Sequence, residues 1–228
     1  MMQEFSAWRE GLIFYLPPFL LGCMLWGCAL GGFLPIVPKP VLLVTGALFI
    51  LVGLAIAAFF RDFPRAITAA ANEVVSPADG TVVGIDVLEH SPYCEGPCTR
   101  ISIFLSVLNA HVNRAPYGGL VRKIEYQRGA FHDARKPETS TLNEANTLYL
   151  ETAQGLMVVR QIAGAVARRI VCMARAGDTL RKGQKFGMIR FGSRTELYLP
   201  DNAEVCVTLN QKVYAGTSVL ARFTKQNK

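Results

Sequence analysis

Charge is nearly missing from the first quarter of this 228-residue chain: residues 1–60 carry only Glu4, Arg9, Glu10 and Lys39. These four cancel, so the whole net charge of +7 lies in residues 61–228. Charged side chains are scarce overall at 18%, against 51% apolar, which excludes a disordered tail protein and a collagen-like or low-complexity chain. Histidine is limited to His90, His111 and His132, so few side chains titrate near neutral pH. Six cysteines do not make a disulfide framework in a cytoplasmic domain of this size. Cys94-x3-Cys98 offers half of a zinc site with His90 as a third ligand, but no second pair follows. No metal site is expected, and the stretch reads as an exposed hairpin tip. The basic residues, Arg168-Arg169 among them, lack interleaved aromatics, so no nucleic-acid partner is expected.

What the first quarter does contain is apolar. Residues 11–34 and 41–60 hold no charged side chain, and twenty helical residues span about 30 Å, the thickness of a bilayer's hydrocarbon core. The short connection from Pro35 to Pro40 makes them an antiparallel hairpin, with Pro17-Pro18 interrupting the first segment. That run is too long, and lacks the small-residue pattern, for a cleaved signal peptide. Residues 1–60 are therefore read as a membrane anchor and 61–228 as a basic domain of its own. Arg61 and Arg65 follow the second segment directly, which places the domain on the cytoplasmic side of the inner membrane, where anionic headgroups attract it.

Beyond residue 70, strand signals outnumber helix signals. Short apolar and β-branched runs are broken by Asp79-Gly80, Gly118-Gly119, Gly177-Asp178 and Lys182-Gly183. Ile101, Ile103, Leu105 and Val107 alternate along a strand that runs into Asn109-Ala110-His111. Further strands are expected at Val158–Ile162, Ile170–Met173, Val205–Leu209 and Ser218–Phe223, and a surface helix at residues 61–73. The fold class is mainly β (α+β): a carrier-domain-like β-sandwich hybrid behind an N-terminal hairpin of two membrane helices.

Three stretches carry candidate chemistry. Ser76-Pro77-Ala78-Asp79-Gly80 is a turn presenting a carboxylate. His111-Val112-Asn113-Arg114-Ala115-Pro116 sets a histidine at a strand end. Arg190-Phe191-Gly192-Ser193 contains the chain's only Gly-Ser step, where glycine opens the carbonyl before the serine to close approach. Each alone is more often an ordinary turn, structural histidine or loop than a site.

Taken in order and spacing, these stretches resemble the phosphatidylserine decarboxylase family in its short, membrane-anchored prokaryotic form. The resemblance covers residues 55–225 and rests on FFRDFPR (59–65), SPADGTV (76–82), FLSVLNAHVNRAP (104–116), GAF (129–131), NEAN (143–146), QIAGAVARRIV (161–171) and KGQKFGMIRFGSRTELYLP (182–200). It implies a proenzyme that cuts itself between Gly192 and Ser193, leaving a large chain 1–192 and a small chain 193–228. Ser193 is the nucleophile and becomes a covalent pyruvoyl cofactor, which replaces pyridoxal phosphate as the electron sink. Asp79 matches the acidic residue that orients the base, and His111 the general acid/base.

Many relatives carry a second histidine three residues after the first. Here that position is Arg114, a poor base at neutral pH. Either His111 serves both self-cleavage and decarboxylation, the reading favoured here, or Asp79 and a water share the first task. Arg114 is then a candidate for the substrate's phosphate or carboxylate, and His132, next to GAF, for lining the headgroup pocket. The partners implied are the phospholipid, the membrane, the two chains of one precursor and a homodimer. Two rivals differ: the same chemistry on another serine-headed (ether) lipid, or a non-enzymatic membrane adaptor with a carrier-like β domain, which leaves Gly192-Ser193, Asp79 and His111 unexplained.

Overall fold

The computed structural model describes residues 5–136, 138–165, 169–190 and 193–224. They fall into two compact units, Ser6–Asp62 and Phe63–Lys228 with Met1–Phe5.

The first unit is a pair of helices, α1 (Ala7–Gly31) and α2 (Lys39–Phe59). α1 continues through Pro17 and Pro18 and stops at Gly32, whose φ of 68° and amide bond to the Cys28 carbonyl form a left-handed cap. α2 opens on Pro38 and Pro40, a favoured place for a residue without an amide hydrogen. The helices meet where side chains are smallest: a Cβ on Gly22 would overlap the Gly46 carbonyl, the close approach typical of apolar helix pairs. Trp26 Nε1 donates to the Leu43 carbonyl at 2.9 Å. Both helices are long and apolar enough to cross a membrane, with mean hydropathy 1.8 and 2.7. They point to membrane association.

The second unit is mostly β. In chain order it contains β1 (Glu73–Val75), β2 (Gly80–Leu88), β3 (Cys98–Leu105), β4 (Val112–Arg114) and β5 (Gly119–Gln127). One helical turn, α3 (Thr139–Leu142), precedes β6 (Ala145–Thr152), β7 (Gly155–Ile162), β8 (Arg169–Cys172) and β9 (Thr179–Leu180). The chain closes with β10 (Lys185–Arg190), β11 (Ser193–Pro200), β12 (Ala203–Val205), β13 (Lys212–Val213) and β14 (Val219–Phe223). Eight strands form one sheet in the order β13-β2-β3-β11-β7-β6-β5-β9, and two three-stranded sheets, β1-β14-β12 and β4-β10-β8, accompany it. Every pairing between these strands is antiparallel.

Alternation decides which face each side chain joins. Ile101, Ile103 and Leu105 of β3 and Leu197 and Leu199 of β11 are fully buried in one core with Val159. On the other face of β11 the alternate residues are Arg194, Glu196 and Tyr198, buried as well. Glu196 accepts from Ser140 Oγ at 2.5 Å and Tyr198 Oη at 2.9 Å, with Arg194 Nε 3.1 Å and Arg160 4.0 Å away. Burial and the adjacent Glu196 push the Tyr198 phenol well above its ordinary pKa, so it stays a neutral donor. Glu196→Gln removes the carboxylate that faces the two buried guanidiniums of Arg194 and Arg160, and we expect the fold to lose about 3–5 kcal/mol, read as a lower thermal midpoint of the full chain in detergent.

The mainly β fold with two N-terminal apolar helices agrees with the sequence expectation. Two local expectations do not hold. Residues 61–70 form no helix, despite four alanines between Arg65 and Asn72. Pro64 disfavours helical backbone at Phe63. The segment's polar groups are instead bonded to the β unit: Arg65 to Asp79, and the Ala70 and Ala71 carbonyls to Lys182 Nζ. Pairing at the expected Val205–Leu209 strand also ends early, at Val205. Conversely, β5 and β6 are long strands that their mixed polar sequences do not advertise.

Candidate active site

Register places the scattered motifs together. Along one edge of the large sheet the paired residues are Gln127↔Ala145, Ala145↔Ile162, Ile162↔Arg194, Arg194↔Phe104 and Phe104↔Thr81. The segments at or just beyond these positions are GAF, NEAN, the end of QIAG, Ser193, LNAH and SPAD. Six stretches separated by up to 117 residues thus become neighbouring loops and strand ends at one edge.

The approach at this edge is tight. A Cβ on Gly80 would overlap the Phe104 carbonyl, and one on Gly129 would overlap the Asn143 backbone; only glycine fits beside Asp79 and at the start of GAF.

Ser193 opens β11 opposite Leu105 and is fully buried. Its hydroxyl has no hydrogen-bond partner among the described residues. An orphaned buried hydroxyl costs about 1–3 kcal/mol, so it calls for an explanation beyond packing. Gly192 lies outside the described residues. The chain reaches it from β10, in one sheet, and continues from it into β11, in another.

His111 stands immediately before β4 and is fully buried. Its carbonyl accepts from the Ile189 amide at 3.2 Å, and Met188 pairs with Val112 in the next register step. The histidine is therefore fixed against the last residues of β10, which lead to Ser193. Asp79 is also buried: Oδ2 pairs with Arg65 at 2.7 Å and Oδ1 accepts from the Ala215 amide at 2.8 Å.

A residue that sequence reasoning did not single out joins these parts. Asn113 Nδ2 lies 3.2 Å from Thr195 Oγ1 and 3.3 Å from the Pro77 carbonyl, and Oδ1 accepts from Gln161 Nε2 at 2.9 Å. Gln161 Oε1 in turn accepts from Asn146 Nδ2 at 3.0 Å. One buried amide chain thus ties the SPAD turn, the histidine strand, QIAG and NEAN to the strand that Ser193 opens. The only prior signal was that each member lies inside a motif stretch. Asn113→Ala orphans Gln161 Nε2, and we expect about 1–3 kcal/mol of destabilisation, measured as thermal unfolding of the full chain.

The two candidate substrate ligands lie differently. Arg114 is buried, with Nη1 donating to the Gly183 carbonyl and Nη2 to the Phe63 carbonyl, each at 3.0 Å. His132 is exposed; its backbone is clamped by Asn143, which accepts from the His132 amide at 3.1 Å and donates to its carbonyl at 2.9 Å. Cys94 and Cys98 lie far from this edge, in the β2–β3 loop and at the start of β3. Burial, then the neighbouring Cys98, pushes the Cys94 thiol up to about 12, so it stays protonated.

The arrangement offers a buried hydroxyl, an imidazole and a carboxylate on one edge. Those are the parts for acyl transfer to a hydroxyl followed by proton transfer. Comparison with known proteins agrees. Residues 52–221 match the family model described as phosphatidylserine decarboxylase. A phosphatidylserine decarboxylase proenzyme of Burkholderia pseudomallei (strain 1106a) is 45% identical over 169 residues, covering 74% of this chain and 78% of its own. The proenzyme of Burkholderia mallei (strain SAVP1) is 44% identical over the same length and coverage. That of Burkholderia vietnamiensis (strain G4 / LMG 22486) is 45% identical over 164 residues, 72% and 76% of the two chains. The chain belongs to the phosphatidylserine decarboxylase family.

Proposed function

We propose that this chain is a membrane-bound proenzyme that cuts itself between Gly192 and Ser193 and then converts phosphatidylserine to phosphatidylethanolamine and CO2. The observation that carries the reading is the convergence of Asp79, His111 and Ser193 on one edge, with the Ser193 hydroxyl buried and without a partner among the described residues.

Self-cleavage uses this chain's own groups and one water. Ser193 Oγ gives its proton to a base and attacks the Gly192 carbonyl carbon. The Gly192–Ser193 amide breaks as the ester forms, and the Ser193 nitrogen becomes a free amine. Removal of the Ser193 α-proton expels the Gly192 carboxylate and leaves a double bond on residue 193. Water then replaces the nitrogen, which departs as ammonia, and a pyruvoyl group remains on the small chain 193–228. His111 is the base for both proton removals. Asp79, whose oxygens each accept one hydrogen bond named above, retains lone pairs for orienting that base or a water.

The pyruvoyl group supplies an electron-withdrawing carbonyl, bonded in place, toward which the electrons of the departing carboxylate flow. The buried origin of β11 suits it, because a dry site strengthens that pull. His111 then delivers a proton to the substrate α-carbon. Arg114, fixed by two carbonyls, brings positive charge for the anionic headgroup. Exposed His132 lines its entrance.

The helix pair holds the enzyme in the membrane that contains its substrate. Arg61 and Arg65, directly after α2, orient it toward the cytoplasm at the inner membrane. The test is direct: full-length protein in nanodiscs containing carboxyl-labelled phosphatidylserine should release labelled CO2 and leave phosphatidylethanolamine. Labelled lipid recovered unchanged contradicts the reading.

A further inference from the structure

The edge that carries the motifs also carries an apolar rim. The Asn109 amide donates to the Ser106 carbonyl at 2.9 Å, while Asn109 Oδ1 accepts from the Ser106 amide at 2.9 Å and its hydroxyl at 2.8 Å. This closes a tight turn between β3 and His111. Its two corners, where Gly, Pro, Asn, Asp or Ser are usual, are Val107 and Leu108, 52% and 82% exposed. On the other side of Ser193, Phe131 and Leu142 flank the Ala130–Asn143 bridge, 36% and 50% exposed. Single exposed apolar residues are ordinary; four on the loops around one buried nucleophile form a surface. Exposed Lys136 and Arg169 lie on the same edge: the Lys136 carbonyl receives Arg194 Nη1, and Arg169 pairs with Arg190.

What covers this rim follows from the chain's connectivity. α2 ends at Phe59, and by Phe63 the chain is already bonded to Arg114, with Arg65 bonded to Asp79. Four peptide links reach at most about 14 Å. Within a few residues of the membrane helix the chain is therefore bonded to the motif residues Arg114 and Asp79. An apolar tip with flanking cations suits the headgroup–acyl boundary of an anionic membrane.

We propose that this edge is the membrane-docking surface of the β unit, and that the Val107–Leu108 turn inserts among the lipids beside Ser193, so that phosphatidylserine reaches the site without leaving the bilayer. The proposal rests on the lipid-decarboxylase reading for its purpose, but insertion is testable without turnover. In a Trp8→Phe/Trp26→Phe background, which removes both native tryptophans, Leu108→Trp in the full chain is reconstituted into phosphatidylserine-containing nanodiscs. Its fluorescence should be quenched by brominated acyl chains. Val87→Trp, 75% exposed at the opposite end of β2, should be quenched only by aqueous iodide. Iodide quenching of both overturns the proposal, whatever the enzyme does.

A second measurement separates docking from chemistry. Val107→Ser with Leu108→Ser should raise KM for phosphatidylserine in bilayers by about tenfold or more. Turnover of monomeric short-chain phosphatidylserine should stay unchanged. Equal losses on both substrates, or none on either, contradict insertion, whereas wild-type protein inactive on both substrates counts against the decarboxylase reading alone.

Discussion

Ser193→Ala leaves the polypeptide in one piece and lowers CO2 release to background, a loss on the order of 10⁵-fold or more. The expectation is this large because the hydroxyl has two roles in sequence. Without Oγ the Gly192 carbonyl has no internal nucleophile, so the amide persists. Without the break, residue 193 never becomes the electron-accepting group. The substitution should leave the fold intact, because the hydroxyl makes no hydrogen bond among the described residues and alanine fits the same buried position. A gel of the purified variant and a labelled-CO2 assay check both halves. Turnover by the uncut variant would contradict the mechanism.

His111→Ala has the second largest expected effect. General acid–base catalysis contributes typically about 10²–10⁴-fold, and here one imidazole is assigned to both stages. Self-cleavage should slow by a factor in that range. Long incubation will still yield cut protein, and in that fraction decarboxylation should remain down by a similar factor. The two stages separate when the cut fraction is quantified before the assay. Normal turnover per cut molecule would move the acid to another group, Asp79 being next on the same edge.

How much of this was readable from sequence depends on the kind of interaction. Charge-free runs as long as a bilayer is thick announce α1 and α2, because backbone and solvent alone dictate the outcome. Period-two burial likewise reveals β3, where Ile101, Ile103 and Leu105 face the core. The helix expected at 61–73 failed because alanine-rich propensity is weak beside long-range bonds from Arg65 and Lys182. β5 and β6 were missed because pairing across the sheet, not local composition, makes them strands. At the candidate site, Asp79, His111 and Ser193 were singled out through motif resemblance, and register brings them to one edge. The amide chain through Asn113, Gln161 and Asn146 was not, since its members sit 15 to 48 residues apart and meet only by register. Arg65 was read only as a membrane-facing charge; its bond to Asp79 appears only once the chain folds back.

The central claim is that one backbone bond is broken and its serine remade into a ketone. Intact-mass spectrometry of wild-type protein purified under denaturing conditions tests it most directly. The account predicts two polypeptides. The smaller, residues 193–228, should be one ammonia lighter than the same residues beginning with serine; its amino end is blocked, resists stepwise degradation and takes up hydride from borohydride. A single unbroken chain that still decarboxylates phosphatidylserine, or a small chain beginning with an ordinary serine amine, would contradict it.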